Sequence, residues 1–343
     1  MSQSSSPRRP RSSGRVTLDD VARLSGVSPI TVSRTLRGAR NVAPELSERV
    51  HAAVARLGYV PDVAARALAS ARSSHVALLI PLLSNALFVE LVESVQRTLM
   101  PAGFQTLIGI THYEAAEDEQ LLRSYLSHRP AGLLVTGFDR SETARRLIAD
   151  SGVPCVHLME TSALPGVYSV GLSQHDAARA ITEHLLQRGH RRIAYLAGQL
   201  DPRVMQRLQG YRQALAQAGR YDPKLEVLDP TPTSMALGGQ LFERVLEQQP
   251  DVDAMFFCND DLAQGGLLAA LRLQVPVPQR VAVAGFNDLA GNDQMLPPLT
   301  SVRTPRAAIG EKAASMLLDL IGGQAVKQPA VDLGFELMVR QST

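Results

Sequence analysis

The sequence predicts an α/β protein: a small three-helix headpiece with a helix-turn-helix, then a two-lobed body of parallel sheets flanked by helices. Three observations lead there. Residues 16–36, VTLDDVARLSGVSPITVSRTL, hold two short amphipathic segments, each with its own start signal. The first 72 residues carry 12 arginines, no lysine and 5 acids, a balance of +7, while the remainder balances at −5. From His75 onward, β-rich runs alternate with amphipathic helical stretches in two successive series.

The first 15 residues, MSQSSSPRRPRSSGR, are rich in Ser, Pro and Arg and lack an apolar stretch. They read as a disordered basic arm and not as a signal peptide. Next, Thr17 with Asp20 three positions later forms a capping box for the first helix. Ser28 with Pro29 gives the second helix an N-cap and a preorganised first turn. Ala22 and Gly26 are small where two steeply crossing helices must approach. Val21, Ala22, Val32 and Leu36 fall on the facing sides, whereas Thr31, Ser33, Arg34 and Arg37 point outward at helical spacing. A third helix over residues 44–57 repeats Leu46, Val50, Val54 and Leu57 and completes a tiny core. An ordinary helical hairpin is the alternative, but the polar outward face and the basic balance of this end favour a reader of duplex DNA.

Residues 61–72, PDVAARALASAR, are helix formers in a stretch too short to stand alone. Isolated helices below about 12 residues are marginal in water, so this is either a hinge helix that needs a partner or a plain linker.

In the body, VALLIP, TLIGI, GLLVT and CVHL are strands of the first series, with helices over 87–99, 114–127 and 142–149. IAYLAG, LEVLD, AMFFC and VAVAGF are strands of the second, with helices over 177–187, 204–218, 237–247 and 262–271. Buried strands alternating with helices imply parallel sheets covered on both faces, and such sheets bind ligands beyond the carboxyl ends of their strands. The gap between two such lobes is the expected small-molecule site. Cys155 and Cys258 sit far apart inside apolar runs and read as free buried thiols.

Several function classes find no support. No GxGxxG follows a strand, no GxxxxGK[ST] loop occurs, and the eight histidines show no HExxH spacing. No segment approaches the roughly 18 to 20 apolar residues of a membrane span. A non-enzyme without metal or cofactor, soluble and cytoplasmic, is expected.

The chain resembles the LacI/GalR family of transcriptional regulators over nearly its whole length. The segments VTLDDVARLSGVSPITVSRTLRG, LGYVPDVAARALAS, RGHRRIAYLAG, RLQGYRQAL, CNDDLAQGG, VAVAGFND and PPLTSVRTP carry the likeness in order and spacing. VHLMETS, YSVGLSQHDAARAITEHLLQRGHRRIAYLAG and VDLGFEL are most similar to the gluconate-utilisation repressors. The resemblance implies a homodimer whose paired headpieces read double-stranded operator DNA, and a periplasmic-binding-protein-like core that binds gluconate or a related sugar acid. Another carbohydrate, or a corepressor of opposite sign, stays open, as does a sugar-binding protein without a regulatory role.

The implied divisions are an arm at 1–15, a headpiece at 16–60, a hinge at 61–73 and a core at 74–343. Within the core, one lobe spans about 74–172 and 304–328, the other 173–303 and 329–343. The residues implied for DNA are Pro29, Ile30 and Arg34 as base readers and Thr31 and Ser33 for phosphate or base edges. Thr17 and Ser28 at the helix starts and Ala65 and Leu68 in the hinge complete that set. Leu68 matches the residue that wedges into a central base step, and Arg34 suits a bidentate guanine contact or general phosphate attraction.

The effector set is Ser84, Asn85, Phe88, Thr136, His157, Glu160, Arg207, Asn259 and Asn287. Arg207 coincides with the family's ligand-gripping arginine, and its planar fork suits a carboxylate or a hydroxyl pair. Asn287 stands where the lactose-responsive member has aspartate, and the lost negative charge favours an anionic ligand. The asparagines also suit helix N-caps or turns, and His157 suits a structural role as well as a ligand contact.

Overall fold

The computed structural model describes residues 16–36, 42–60, 73–83 and 86–343. The arm at 1–15, Arg37, the hinge with Ala65 and Leu68, and the strand-end residues Ser84 and Asn85 lie outside them. The chain divides into two compact units, Met1–Arg72 and Ser73–Thr343.

The first unit holds α1 (Leu18–Ser25), α2 (Pro29–Leu36) and α3 (Pro44–Leu57). Local chemistry starts and stops them. Thr17 Oγ1 accepts from the Asp20 amide while an Asp20 carboxylate oxygen accepts from the Thr17 amide at 2.9 Å, the reciprocal capping box. Ser28 Oγ accepts from the Thr31 amide at 3.2 Å, capping α2, and Pro29 occupies its first turn. Gly26 ends α1 with φ of 67°, a left-handed conformation that favours glycine. Arg49 on α3 donates to the Ser25 carbonyl at 2.5 Å and fills the space a Cβ on Gly26 would need. Val21, Ala22, Val32, Val50, Ala53 and Tyr59 form the buried core, with Leu36, Val54 and Leu57 against it.

The second unit contains two six-stranded sheets. Before the first crossing between lobes come β1 (His75–Ile80), α4 (Ala86–Leu99), β2 (Gln105–Ile110), α5 (Ala115–Ser127), β3 (Gly132–Thr136), α6 (Glu142–Ser151), β4 (Cys155–Met159) and β5 (Tyr168–Gly171). The other lobe holds α7 (Gln174–Gln187), β6 (Ile193–Ala197), α8 (Pro202–Gln217), β7 (Glu226–Leu228), α9 (Met235–Gln248), β8 (Ala254–Phe257), α10 (Asp260–Arg272), β9 (Ala282–Asn287) and β10 (Thr300–Arg303). The chain then returns through α11 (Arg306–Ile321) and β11 (Ala330–Asp332) and ends with β12 (Glu336–Met338).

One sheet runs β11-β5-β4-β3-β1-β2 and is parallel throughout; the other runs β12-β10-β9-β8-β6-β7, with β12 alone antiparallel. Both repeat one order, so the strand that starts each series sits inside its sheet. That order reverses beside β1 and beside β6, the switch points where open sheets leave a crevice.

Three expectations need correction. β11 pairs with β5, Val331 opposite Val170, so the first lobe continues past residue 328 into a stretch assigned above to the second. Several helices also begin two or three residues early, because Ser173, Ser234 and Asn259 cap them by accepting from backbone amides. Cys258 is buried as expected, but Cys155 is only half-buried; both are free.

Where α9 crosses α10, Gly238 and Gly265 let the backbones meet: a Cβ on Gly238 would overlap the Leu262 carbonyl, and one on Gly265 the Met235 carbonyl. Backbone cannot yield as a side-chain end can. Gly265→Val is expected to cost about 3 kcal/mol by overpacking, read as a lower denaturant midpoint with an unchanged slope.

Candidate effector cleft and headpiece face

On the headpiece, α2 presents Pro29, Ile30 and Arg34 to solvent, with Ile30 65% exposed. Val32 and Thr35 face the core. The Thr31 hydroxyl is 2.9 Å from Ser28 Oγ, so those two hydroxyls are engaged at the helix start. Thr17 likewise belongs to its capping box. Ser33 is half-buried. The exposed face of α2 is therefore one arginine beside an apolar pair at a helix N-terminus.

In the body, a cavity of about 460 Å³ opens between the lobes at the carboxyl ends of the strands. The first lobe supplies Leu87, Phe88, Tyr113 and Met159; the second supplies Gln199, Asp201, Arg203, Val204, Arg207, Thr233, Asn259 and Asn287. Tyr113, Met159, Gln199 and Asn287 hold φ of 62°, 73°, 66° and 110°. Left-handed backbone at non-glycine residues is uncommon and gathers at functional sites.

Arg207 projects from α8 and is 4% exposed. Its Nε donates to Gln174 Oε1 at 2.9 Å, its Nη1 donates to the Cys258 carbonyl at 2.5 Å, and its guanidinium lies 3.8 Å from the Phe286 ring centroid. All three partners are neutral. Among the described residues no carboxylate pairs with it. Asn259 lines the cleft but uses Oδ1 to cap α10, accepting from the Leu262 amide at 3.1 Å. Asn287 is 2% exposed and its Oδ1 is buried without a hydrogen-bond partner among the described residues, while its carbonyl accepts from Arg306 and Thr304.

Phe88 and the second-lobe candidates line the cleft; three first-lobe candidates do not. Thr136 Oγ1 donates to the Leu79 carbonyl at 3.1 Å and lines a separate cavity beside β1 and β3, together with the buried Asp118–Arg140 pair. His157 turns away: its Nδ1 sits 2.8 Å from the Gly137 carbonyl, and its ring stacks on Phe138 at 4.2 Å. A carbonyl only accepts, so Nδ1 carries the proton. Burial pushes this imidazole down to about 4. Glu160 accepts from Arg203 Nη1 at 3.1 Å and from Gln206 Nε2 at 2.9 Å. Placement at a strand end puts a residue near the cleft, but side-chain direction decides whether it faces in.

Sequence reasoning missed Tyr113, Asp201 and Arg203. Arg203 was findable: it precedes Arg207 by four residues and follows the N-cap Asp201 and Pro202, so it shares the helix face. Tyr113 had no such signal, since its place depends on a left-handed turn after β2.

A bacterial regulatory protein sequence pattern, the lacI family, matches residues 17–62, and a periplasmic binding protein-like domain matches residues 182–343. The chain is 54% identical over 343 residues to the HTH-type transcriptional regulator GntR of Pseudomonas aeruginosa, covering 100% of each. The chain belongs to the lacI family. As a member it is a DNA-binding transcriptional regulator. The crystal structure of the transcription regulator GntR from Chromobacterium violaceum shares 48% identity at a TM-score of 0.77, covering 78% of this chain and 98% of that one. The lac repressor dimer bound to operator and the anti-inducer ONPF shares 27% identity at a TM-score of 0.85, covering 96% and 99%. No helix among the described residues is long and apolar enough to cross a membrane.

The His157 shift carries a pH signature. A neutral imidazole is favoured in the folded state, so its contribution is present above the unfolded value near 6.5 and falls away as pH drops toward 4. His157→Gln is expected to flatten the stability profile between those limits by on the order of 2 to 3 kcal/mol relative to wild type. Denaturant midpoints across that window test this, and parallel profiles contradict it.

Proposed function

We propose that the protein is a homodimeric repressor that occupies an operator through its headpieces and leaves it when a sugar acid of the gluconate type binds in the interlobe cleft. Arg207 carries this reading. A buried charge without a partner costs several kcal/mol, so a cationic fork held in place by neutral groups is a site prepared for an anion. The fork geometry suits a carboxylate. Asn287 and Asn259 at neighbouring strand ends of the second lobe suit the hydroxyls of such a ligand, and the gluconate-type segments noted in the sequence agree.

On the headpiece, Arg34 would read a guanine, with about 1 to 3 kcal/mol of discrimination, and Ile30 would meet a thymine methyl. The dimer is proposed by likeness to the lac repressor dimer on its operator. The link between cleft and headpiece would run through residues 61–72, the stretch read above as a hinge helix or a plain linker. Lowering operator occupancy 100-fold requires about 2.7 kcal/mol of differential effector binding, ordinary for allosteric coupling.

Full-length protein should shift a duplex carrying its own promoter, and gluconate or 2-ketogluconate should reverse the shift. Arg207→Ala should bind the acid at least about 2 kcal/mol more weakly while shifting the duplex as before, read by calorimetry and gel shift. If an uncharged sugar binds and none of the acids does, the sugar-acid reading is wrong.

A further inference from the structure

Arg203 is 5% exposed and lies one turn before Arg207 on the same face of α8, about 6 Å along the axis. The two guanidinium groups differ in what surrounds them. Arg207 meets no carboxylate among the described residues, whereas Arg203 meets three. Its Nη1 pairs with Asp139 at 3.2 Å and Glu160 at 3.1 Å, both from the opposite lobe, and its Nε pairs with Asp201 at 3.2 Å. Gly137, with φ of 67°, makes this convergence possible, because a Cβ there would overlap Arg203 Nη1 and come within 2.8 Å of Glu160 Oε1.

One donor is left over. Among the described residues, Arg203 Nη2 is buried with no hydrogen-bond partner in a residue that lines the cleft, and Asn287 Oδ1 is buried without one in the same wall. The Tyr113 ring sits 5.9 Å from the guanidinium. A ligand group at Nη2 must accept and one at Asn287 Oδ1 must donate; a hydroxyl can do either, whereas a carboxylate only accepts.

Resting on the sugar-acid reading above, we propose that Arg203 counts carboxylates: its Nη2 donates to a ligand hydroxyl oxygen and the carboxylates around it exclude a second acid group, so the effector is a monocarboxylic polyhydroxy acid. Three carboxylates around one guanidinium leave negative charge in excess at that end of the cleft. A fourth, buried at hydrogen-bond distance, would be repelled in a medium that screens poorly. A six-carbon chain anchored by its carboxylate on Arg207 brings its far end about one helical turn away, to Arg203. The inference therefore separates aldonates from aldarates, which differ only in the group at that far end.

Gluconate and glucarate make the test, since one ends in a hydroxymethyl group where the other ends in a second carboxylate. Calorimetry on the full-length protein should give glucarate binding about tenfold or more weaker than gluconate. Asp139→Asn combined with Glu160→Gln should narrow that gap by strengthening glucarate. Asp139→Asn alone, at the more exposed partner, should narrow it in part if the double variant does not fold. Equal binding of both acids by wild type overturns the inference and leaves the sugar-acid reading standing, whereas binding of neither overturns both. A gap unchanged in the folded variants removes Arg203 from the role.

Discussion

A guanidinium buried without a counter-charge among the described residues is the constraint around which the body is arranged. Arg207 is held by a glutamine, a backbone carbonyl and a phenyl face, each of which orients the fork and none of which neutralises it. Such a group is expensive in a closed apolar core and inexpensive at a cleft a ligand can complete. The sheets supply that cleft by repeating one strand order, which brings two sets of carboxyl ends to face each other. Left-handed residues at those ends aim side chains inward at a conformational cost that the packing of both lobes sustains.

Ion pairs and hydrogen bonds near the cleft join the two lobes. Arg203 on α8 meets Asp139 and Glu160 of the other lobe, and Arg306 on α11 binds the Asn287 and Asp288 carbonyls while pairing with Glu90 of α4 at 2.8 Å. Occupancy of the cleft thus bears on groups belonging to both lobes. A ligand shifts an equilibrium only by its differential affinity for the two states, and in the proposed mechanism the ion pairs across the gap supply that difference.

The headpiece was legible because its signals are local: the capping box of Thr17 and Asp20, the Ser28 cap and the left-handed Gly26 each act within one turn. The alternating strands and helices of the body were legible through their periodicity. The strands at Tyr168–Gly171 and Thr300–Arg303 and the helix Arg306–Ile321 were not singled out, and the lobe of β11 was misassigned, because sheet membership is decided by partners far away in sequence. In the cleft, chain position indicated which residues stand near a strand end but not which way they turn. His157 faces Gly137 and Phe138 for that reason, and Glu160 belongs to Arg203. The significance of Arg203 itself depends on carboxylates 64 and 43 residues distant, which no local pattern joins.

The most direct measurement of the central claim is reciprocal linkage between cleft and headpiece: the affinity for gluconate measured by calorimetry with and without saturating operator duplex. Because coupling between two binding sites is symmetric, the account predicts that gluconate binds the operator-bound protein on the order of 100-fold more weakly than the free protein. Identical affinities in the two titrations, with the operator verified as bound, would contradict it.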